Sequence, residues 1–326
     1  VTRPSVGGLL RVAVAAGLTA VLLWKSHPGE VAAHVADARI LPLLAAIALV
    51  IVDRTLMACR WFWLLRPFPA AGAPPFAQLV RVFFVSTFVG TFLPASIGAD
   101  AVRAAALGRL RVPLADAVAS VFMDRVLGVV SILAMAAVGL WLARDLPGRP
   151  VVLLSLVGIA ALCAVVAAMT FSARVAGWVV AVIRLAPWAR VQRGATAVVT
   201  AVQHYAHHHG LLVLVLAASI AVQILRIVQA WCLGVALGIA APLAVYFAYV
   251  PIILLIMLLP VTVNGLGTSQ AAFVLFFVRA GVPSPAAFAL SVLFVALGVV
   301  GNLPGGLLYA WGGMGIGAPA ADAEAR

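Results

Sequence analysis

FFVSTFVGTFLPASIGADAVRAAALGRLR, residues Phe83 to Arg111, decides how this chain is read. A strongly apolar helical pattern runs into Leu93-Pro94, breaks over Ala95 to Ala99 with Gly98 at its centre, and restarts at Asp100 with Arg103, Arg109 and Arg111 close behind. Proline removes a backbone donor and blocks the preceding turn. Lipid offers the freed groups no partner, so a break at membrane depth has to face protein or water. The carboxylate of Asp100 stands where a helix N-terminus favours negative charge. Interrupted helices of this kind build polar sites in the middle of transporters.

Outward from that stretch the composition is that of a membrane protein. The 326 residues are 65% apolar and 9% charged with a mean hydropathy of +1.20. Apolar runs long enough to cross a bilayer recur from end to end, which predicts an all-α, polytopic membrane helical bundle. No stretch is long and polar enough for a soluble catalytic domain, and no Ser/His/Asp or metal-ligand spacing recurs at membrane depth, so an enzyme is not expected. The net charge of +12 does not point to nucleic acid. Twenty of the 21 cations are arginine and most flank hydrophobic spans, which marks topology and contact with anionic lipid headgroups. Cys59, Cys163 and Cys232 show no paired or metal-ligand spacing, and the tip His204, His207, His208 and His209 lacks acidic or cysteine partners. No metal or other cofactor is expected.

Six runs read as full spans: Val6 to Trp24, Ile40 to Cys59, Leu114 to Leu142, Val151 to Phe171, Leu211 to Gly238 and Ala286 to Trp311. The first carries Arg11 and lacks a small-residue cleavage site, so it reads as a retained helix and not a signal peptide. Asp53-Arg54 in the second reads as a self-neutralising pair near a helix end, with a buried functional pair as the alternative, and Arg60 to Pro75 as an aromatic, basic belt at headgroup level. Residues 172–209 mix arginine with Trp178 and Trp188, as in amphipathic helices on a membrane surface. A second break comes after Leu259-Pro260, in VTVNGLGTSQ with Gly265 and Gly267. The half from 76 to 142 and the half from 243 to 311 thus share one pattern: apolar run, Leu-Pro, glycine-bearing polar stretch, short helix, Val-Pro, long span. Pro113 to Gly128 and Pro283 to Gly298 are both fifteen apart, and each glycine is followed by Val-Val.

If every apolar run crosses there are eight spans, and arginine is nearly balanced between the two faces. If the two broken segments dip in and return, six segments cross and both termini lie in the cytoplasm. Thirteen cations then fall inside, among them Arg54, Arg60 and Arg103, against five outside. That asymmetry is what positive-inside expects, so the prediction is six spans plus two re-entrant helical hairpins arranged as an inverted repeat, in a bacterial inner membrane.

Three arginines, Arg81, Arg125 and Arg226, then remain within the bilayer, where each costs roughly 2.5 to 3.5 kcal/mol unless it faces the bundle interior or a wet cavity. Asp124 adjoins Arg125 but points about 100° away around the helix, which places the partner of Arg125 elsewhere, with Asp100 as a candidate. Arginine suits phosphate because its planar fork binds two oxygens and keeps its charge at any depth.

LPASIGADAVRAAALGR, the later VFMDRVLGVV and PVTVNGLGTSQAAF resemble the signature blocks of the lysylphosphatidylglycerol synthase membrane-region family, also called flippase-like domain proteins. The resemblance spans nearly the whole chain. It implies translocation of lipids such as aminoacylated phosphatidylglycerol, polyprenyl-linked glycolipids or hopanoid-related lipids. It places Pro94, Gly98, Asp100 and Arg103 on the first block, Asp124, Arg125 and Gly128 on the second, and Pro260, Gly265, Gly267 and Gln270 on the third. Two departures stand out: Gly98-Ala99-Asp100 where the family often has Gly-Gly-Asp, and Gln270 where it has a glutamate. The second weighs against a proton- or cation-coupled role for the third block. The soluble aminoacyl-transfer domain of larger members has no counterpart in these residues, so lipid synthesis is not expected. The candidate substrate-binding set is Arg81, Asp100, Arg103, Asp124, Arg125, Arg226, Asn264 and Gln270, with Pro94, Gly98, Pro260, Gly265 and Gly267 as structural breakers. The expected function is a lipid translocase for a phosphate-bearing lipid. A secondary transporter of a small anion and a non-transporting scaffold of a lipid pathway are the alternatives, with membrane lipids and enzymes of lipid biosynthesis as partners.

Overall fold

A computed structural model describes residues 29, 35–68, 74–91, 97–110, 112–142, 149–184, 188–258 and 267–311. Its helices are α1 (Ile40–Leu65), α2 (Phe76–Thr91), α3 (Ile97–Arg109), α4 (Leu114–Leu142), α5 (Arg149–Phe171), α6 (Ala173–Ile183), α7 (Ala189–Gln203), α8 (His209–Ala236), α9 (Leu243–Leu258), α10 (Thr268–Arg279) and α11 (Ser284–Ala310), with a 3-10 turn at His204–His207. No strand occurs among the described residues. Near-continuous apolar sequence leaves the backbone to satisfy itself, and in a bilayer that selects helix.

Four helices, α1, α4, α8 and α11, are long and apolar enough to cross a membrane, and α5 with α6 makes a fifth candidate bent by 107°. The predicted span at Val6 to Trp24 lies outside the described residues, as do Pro94, Pro260, Asn264 and Gly265. At the bend, Ser172 caps α6 by accepting from the Val175 N–H at 3.4 Å. Helix α6 leaves Trp178 and Val182 exposed, while α7 buries Ala201 and Val202 in a cluster with Leu64, Met123 and Tyr205. The Tyr205 hydroxyl donates to the Leu64 carbonyl at 2.6 Å, one of the four carbonyls that the end of α1 leaves without a helical donor. Burial pushes its phenol well above the ordinary range, so it stays a donor.

Two predicted boundaries move. Helix α1 continues past Cys59 to Leu65, so Arg60 to Leu65 is helix and not headgroup-level linker. Nothing in that run breaks a helix, and Trp61, Leu64 and Leu65 are buried, so packing extends it. Helix α3 begins at Ile97, which makes Gly98 and Ala99 helical and sets Asp100 inside the first turn.

The helices α2, α9 and α10, of 16, 16 and 12 residues, are apolar but short. At 1.5 Å per residue even the longest covers about 24 Å, less than the roughly 30 Å of a hydrocarbon core. Each is half of a hairpin. Helix α3 folds back along α2, bringing the Arg103 guanidinium to 4.6 Å from the Phe83 ring centroid. Helix α10 folds back along α9, with Phe276 stacked on Tyr249 at 5.4 Å and Phe277 edge-on to Tyr246 at 5.1 Å. The first fold-back is tight because Gly90 offers no side chain: a methyl there would overlap that of Ala99. The residue that departs from the family's Gly-Gly-Asp is thus accommodated by a glycine on the facing helix.

Each hairpin packs against the long helix that comes after the other one. Helix α4 makes its most extensive contacts with α9, and α11 with α2. Glycine makes both crossings close. A Cβ at Gly139 would stand 2.6 Å from the Ala248 carbonyl oxygen and 2.8 Å from that of Phe247. Pro251, four residues on, has no N–H for that Phe247 carbonyl. A Cβ at Gly305 would overlap the Phe84 carbonyl in the same way. Small residues that let backbones touch are what hold helices together in lipid, where burial of apolar area contributes little.

Candidate functional site

Two adjoining chambers, of about 320 and about 220 Å³, lie where these helices meet. They share Arg54, Thr87, Ala99, Arg125 and Arg226 as common walls. The larger has an apolar side, with Val50, Leu254, Met257, Phe294 and Val299. The smaller is lined by charge.

Helix α1 presents Asp53, Met57 and Arg60 at i, i+4 and i+7, one face of the helix, with Arg54 beside them. Asp53 is 1% exposed and takes two cations: Arg54 Nη1 at 3.6 Å and, from α8, Arg226 Nε at 3.3 Å. Asp124 of α4 is 4% exposed and also takes two: Arg60 Nε at 2.7 Å and, from α3, Arg103 Nη1 at 3.5 Å. Arg60 completes its set by donating from Nη1 to Ser219 Oγ at 2.9 Å. Arg103 lies over Phe83 and, at 5.0 Å, over Trp61, two cation–π contacts that offset part of its desolvation. The third pair, Asp100 with Arg125 Nε at 2.6 Å, is more open, with the Arg125 side chain 45% exposed.

Around these pairs stand polar groups with donors or acceptors to spare. Gln223 donates to Ser131 Oγ at 3.2 Å, and Asn302 to Thr91 Oγ1 at 2.9 Å. The Gln223 Oε1, Asn302 Oδ1 and Gln229 Nε2 atoms, like Arg54 Nε and Arg103 Nε, have no hydrogen-bond partner among the described residues. All five belong to residues that line one or both chambers. Buried polar atoms left unpaired are costly, and these five are gathered on the residues around the chambers.

Five arginines and three aspartates line the two chambers together, a surplus of two positive charges. The two glycines that match in sequence lie against it at ordinary contact distance. A Cβ at Gly128 would stand 3.8 Å from Arg60 Nη2, and one at Gly298 would stand 3.9 Å from Arg54 Nη2, which donates to the Gly298 carbonyl at 3.4 Å. Each matching glycine faces a guanidinium of α1.

Of the residues predicted from sequence, Asp100, Arg103, Asp124, Arg125 and Arg226 come together on one chamber, and Asp100, the candidate partner, is paired with Arg125. Arg81 lies elsewhere: its Nη2 donates at 3.0 Å to Leu308 O, a carbonyl the end of α11 leaves open, so it caps that helix. Gln270 caps α10, its Oε1 accepting from the Gly267 N–H at 2.5 Å and from Ser269 Oγ at 3.0 Å. Gly267, at φ +84°, supplies the turn.

Sequence reasoning missed Arg60 and set the buried functional reading of Asp53 and Arg54 second. Asp53-Arg54 is no end-of-helix feature, since α1 runs twelve residues beyond Asp53, to Leu65. Arg60 is buried at 3% exposure and is no interface cation. The signal available was the seven-residue spacing of Asp53 and Arg60, an acid and a base on one face of an uncapped apolar helix. With Arg54, Arg60 and Arg103 lining the chambers, the cation count expected from six spans falls from thirteen against five to ten against five.

Residues 8–305 match the family model described as the lysylphosphatidylglycerol synthase TM region. No curated protein and no solved structure matches the chain.

Proposed function

The chain belongs to the lysylphosphatidylglycerol synthase TM-region family, which links it to lipid metabolism at a membrane, and on that footing we propose that it is a lipid translocase for a phosphate-bearing lipid. The observation that carries this reading is the joint chamber, guanidinium-lined at one side and apolar at the other. A headgroup phosphate enters the arginine side, and the chains remain against Val50, Phe294 and Val299 or in the surrounding bilayer. A surplus of positive charge inside a helical bundle favours an anion, because Coulomb attraction grows as the local dielectric falls.

In this reading the two hairpins are re-entrant and enter from opposite faces as an inverted repeat of 76–142 and 243–311. The exchange of α4 and α11 between hairpins supports it. The chain sits in the bacterial inner membrane with both termini cytoplasmic, and residues 172–209 lie along one surface. It carries lipid without chemistry: the charged groups of the chamber are arginine–aspartate pairs held in ion bridges. Membrane lipids are its ligands, and enzymes that make those lipids are its partners.

Reconstitution into vesicles tests the proposal. Fluorescently labelled phosphatidylglycerol should exchange between leaflets faster than in protein-free vesicles, and Arg226→Gln should slow it. No movement above the protein-free rate for any phosphate-bearing lipid would overturn the reading, and uptake of labelled phosphate instead would assign a small-anion carrier.

A further inference from the structure

The buried ion clusters leave their charges unbalanced in the same way. Asp53 is shared by Arg54 and Arg226, and Asp124 by Arg60 and Arg103, so each trio carries one positive charge beyond its carboxylate. The remaining pair, Asp100 with Arg125, is neutral. The surplus is therefore one unit charge on each trio, and arginines of both trios line the smaller chamber.

The first trio also has donors in a waiting position. Arg54 Nη1 at 3.6 Å and Arg226 Nη2 at 3.3 Å both point at the sulfur of Met57. A thioether is a weak acceptor, so a phosphate oxygen arriving there gains two charge-assisted bonds and gives up little. The second trio keeps Arg103 Nε without a hydrogen-bond partner among the described residues, on a side chain that lines the smaller chamber. A ligand with a single negative charge would balance one trio and leave the other unbalanced in a medium that penalises bare charge.

We infer that the site takes a diphosphate joined to an apolar chain, one phosphate on the Arg54–Arg226 trio and the other facing the Arg60–Arg103 trio, in preference to a phosphodiester lipid. The inference deepens the lipid reading above and rests on it for the apolar chain alone.

The test uses the full chain in nanodiscs of phosphatidylcholine. Binding is measured for inorganic diphosphate, dimethyl phosphate, farnesyl diphosphate and phosphatidylglycerol. Both diphosphates should bind at least tenfold tighter than the singly charged probe of the same kind, and farnesyl diphosphate tighter than inorganic diphosphate. In Arg226→Gln and, separately, Arg54→Gln, diphosphate affinity should fall tenfold or more while dimethyl phosphate changes by less, so the preference shrinks. Equal binding of phosphatidylglycerol and farnesyl diphosphate by the unmodified chain would overturn the inference whether or not either variant folds. A preference undiminished in both folded variants would do so too. Leaflet exchange of phosphatidylglycerol without diphosphate preference would leave the translocase and remove this inference. Inorganic diphosphate binding as tightly as the farnesyl form would keep the two-charge site and assign it to the free anion.

Discussion

Replacing Asp124 by asparagine removes one charge and almost no volume from a buried trio of charges. The carboxylate is 4% exposed, 2.7 Å from Arg60 Nε and 3.5 Å from Arg103 Nη1, and both arginine side chains are nearly as buried. Removing one partner of a buried ion pair costs about 3–5 kcal/mol, because the remaining charge is desolvated without compensation. Here two cations lose the same partner, which pushes toward the upper end. Three features pull back: an asparagine oxygen still accepts from Arg60 Nε, Ser219 Oγ still accepts from Arg60 Nη1, and Arg103 keeps its place over Phe83 and Trp61. The expected loss is therefore about 3 kcal/mol. Denaturant titration of the purified protein in micelles, followed by tryptophan fluorescence, reads it, and Trp61, fully buried against Arg103, reports locally. The double variant Asp124→Asn/Arg103→Gln returns the trio to its original single surplus charge and should recover at least half of the loss. A single variant within about 1 kcal/mol of the unmodified protein, or a double variant less stable than the single, would refute the view that charge balance holds this cluster together.

Glycine at the helix crossings and glycine at the guanidinium seats should respond oppositely. Gly305→Ala drives a methyl into the Phe84 carbonyl and should cost about 1–3 kcal/mol, whereas Gly128→Ala meets Arg60 at ordinary contact distance and should be neutral or stabilise by up to about 1 kcal/mol in the same titration. Gln270→Ala removes the cap from α10 and should cost about 1 kcal/mol. Gln270→Glu keeps an oxygen that accepts from Gly267 N–H and Ser269 Oγ and should fold normally, which a thermal unfolding comparison of the two variants checks. Arg125→Gln breaks a pair whose arginine is nearly half exposed, so stability should change by less than about 1 kcal/mol while lipid exchange in vesicles slows, a separation of effects that a purely structural pair would not give.

The physics of the bilayer wrote much of this protein into its sequence. A chain with so few charges in runs so long has one secondary structure available, and proline followed by glycine inside such runs marks where it is interrupted. The helical hairpins α2–α3 and α9–α10 stand at those interruptions, and helix periodicity turns Asp124 away from Arg125. These are local rules, acting within a turn or two of the residue concerned.

What the sequence withheld depends on which faces meet. Asp53, Arg54 and Arg60 read as interface residues because hydropathy averages along a helix and says nothing about what stands opposite. Their partners, Arg226, Gly298 and Asp124, lie 64 to 244 residues away for the two hydrogen-bonded arginines and on three other helices. Arg81 and Gln270 show the converse: both have the chemistry of a binding residue, yet open carbonyls at the end of α11 and open amides at the start of α10 take them as caps. Local periodicity and backbone satisfaction fix helices and their breaks. Whether a charge is stranded, capped or shared is a matter of the dielectric and the counter-charges around it, and these exist only once distant helices have packed together.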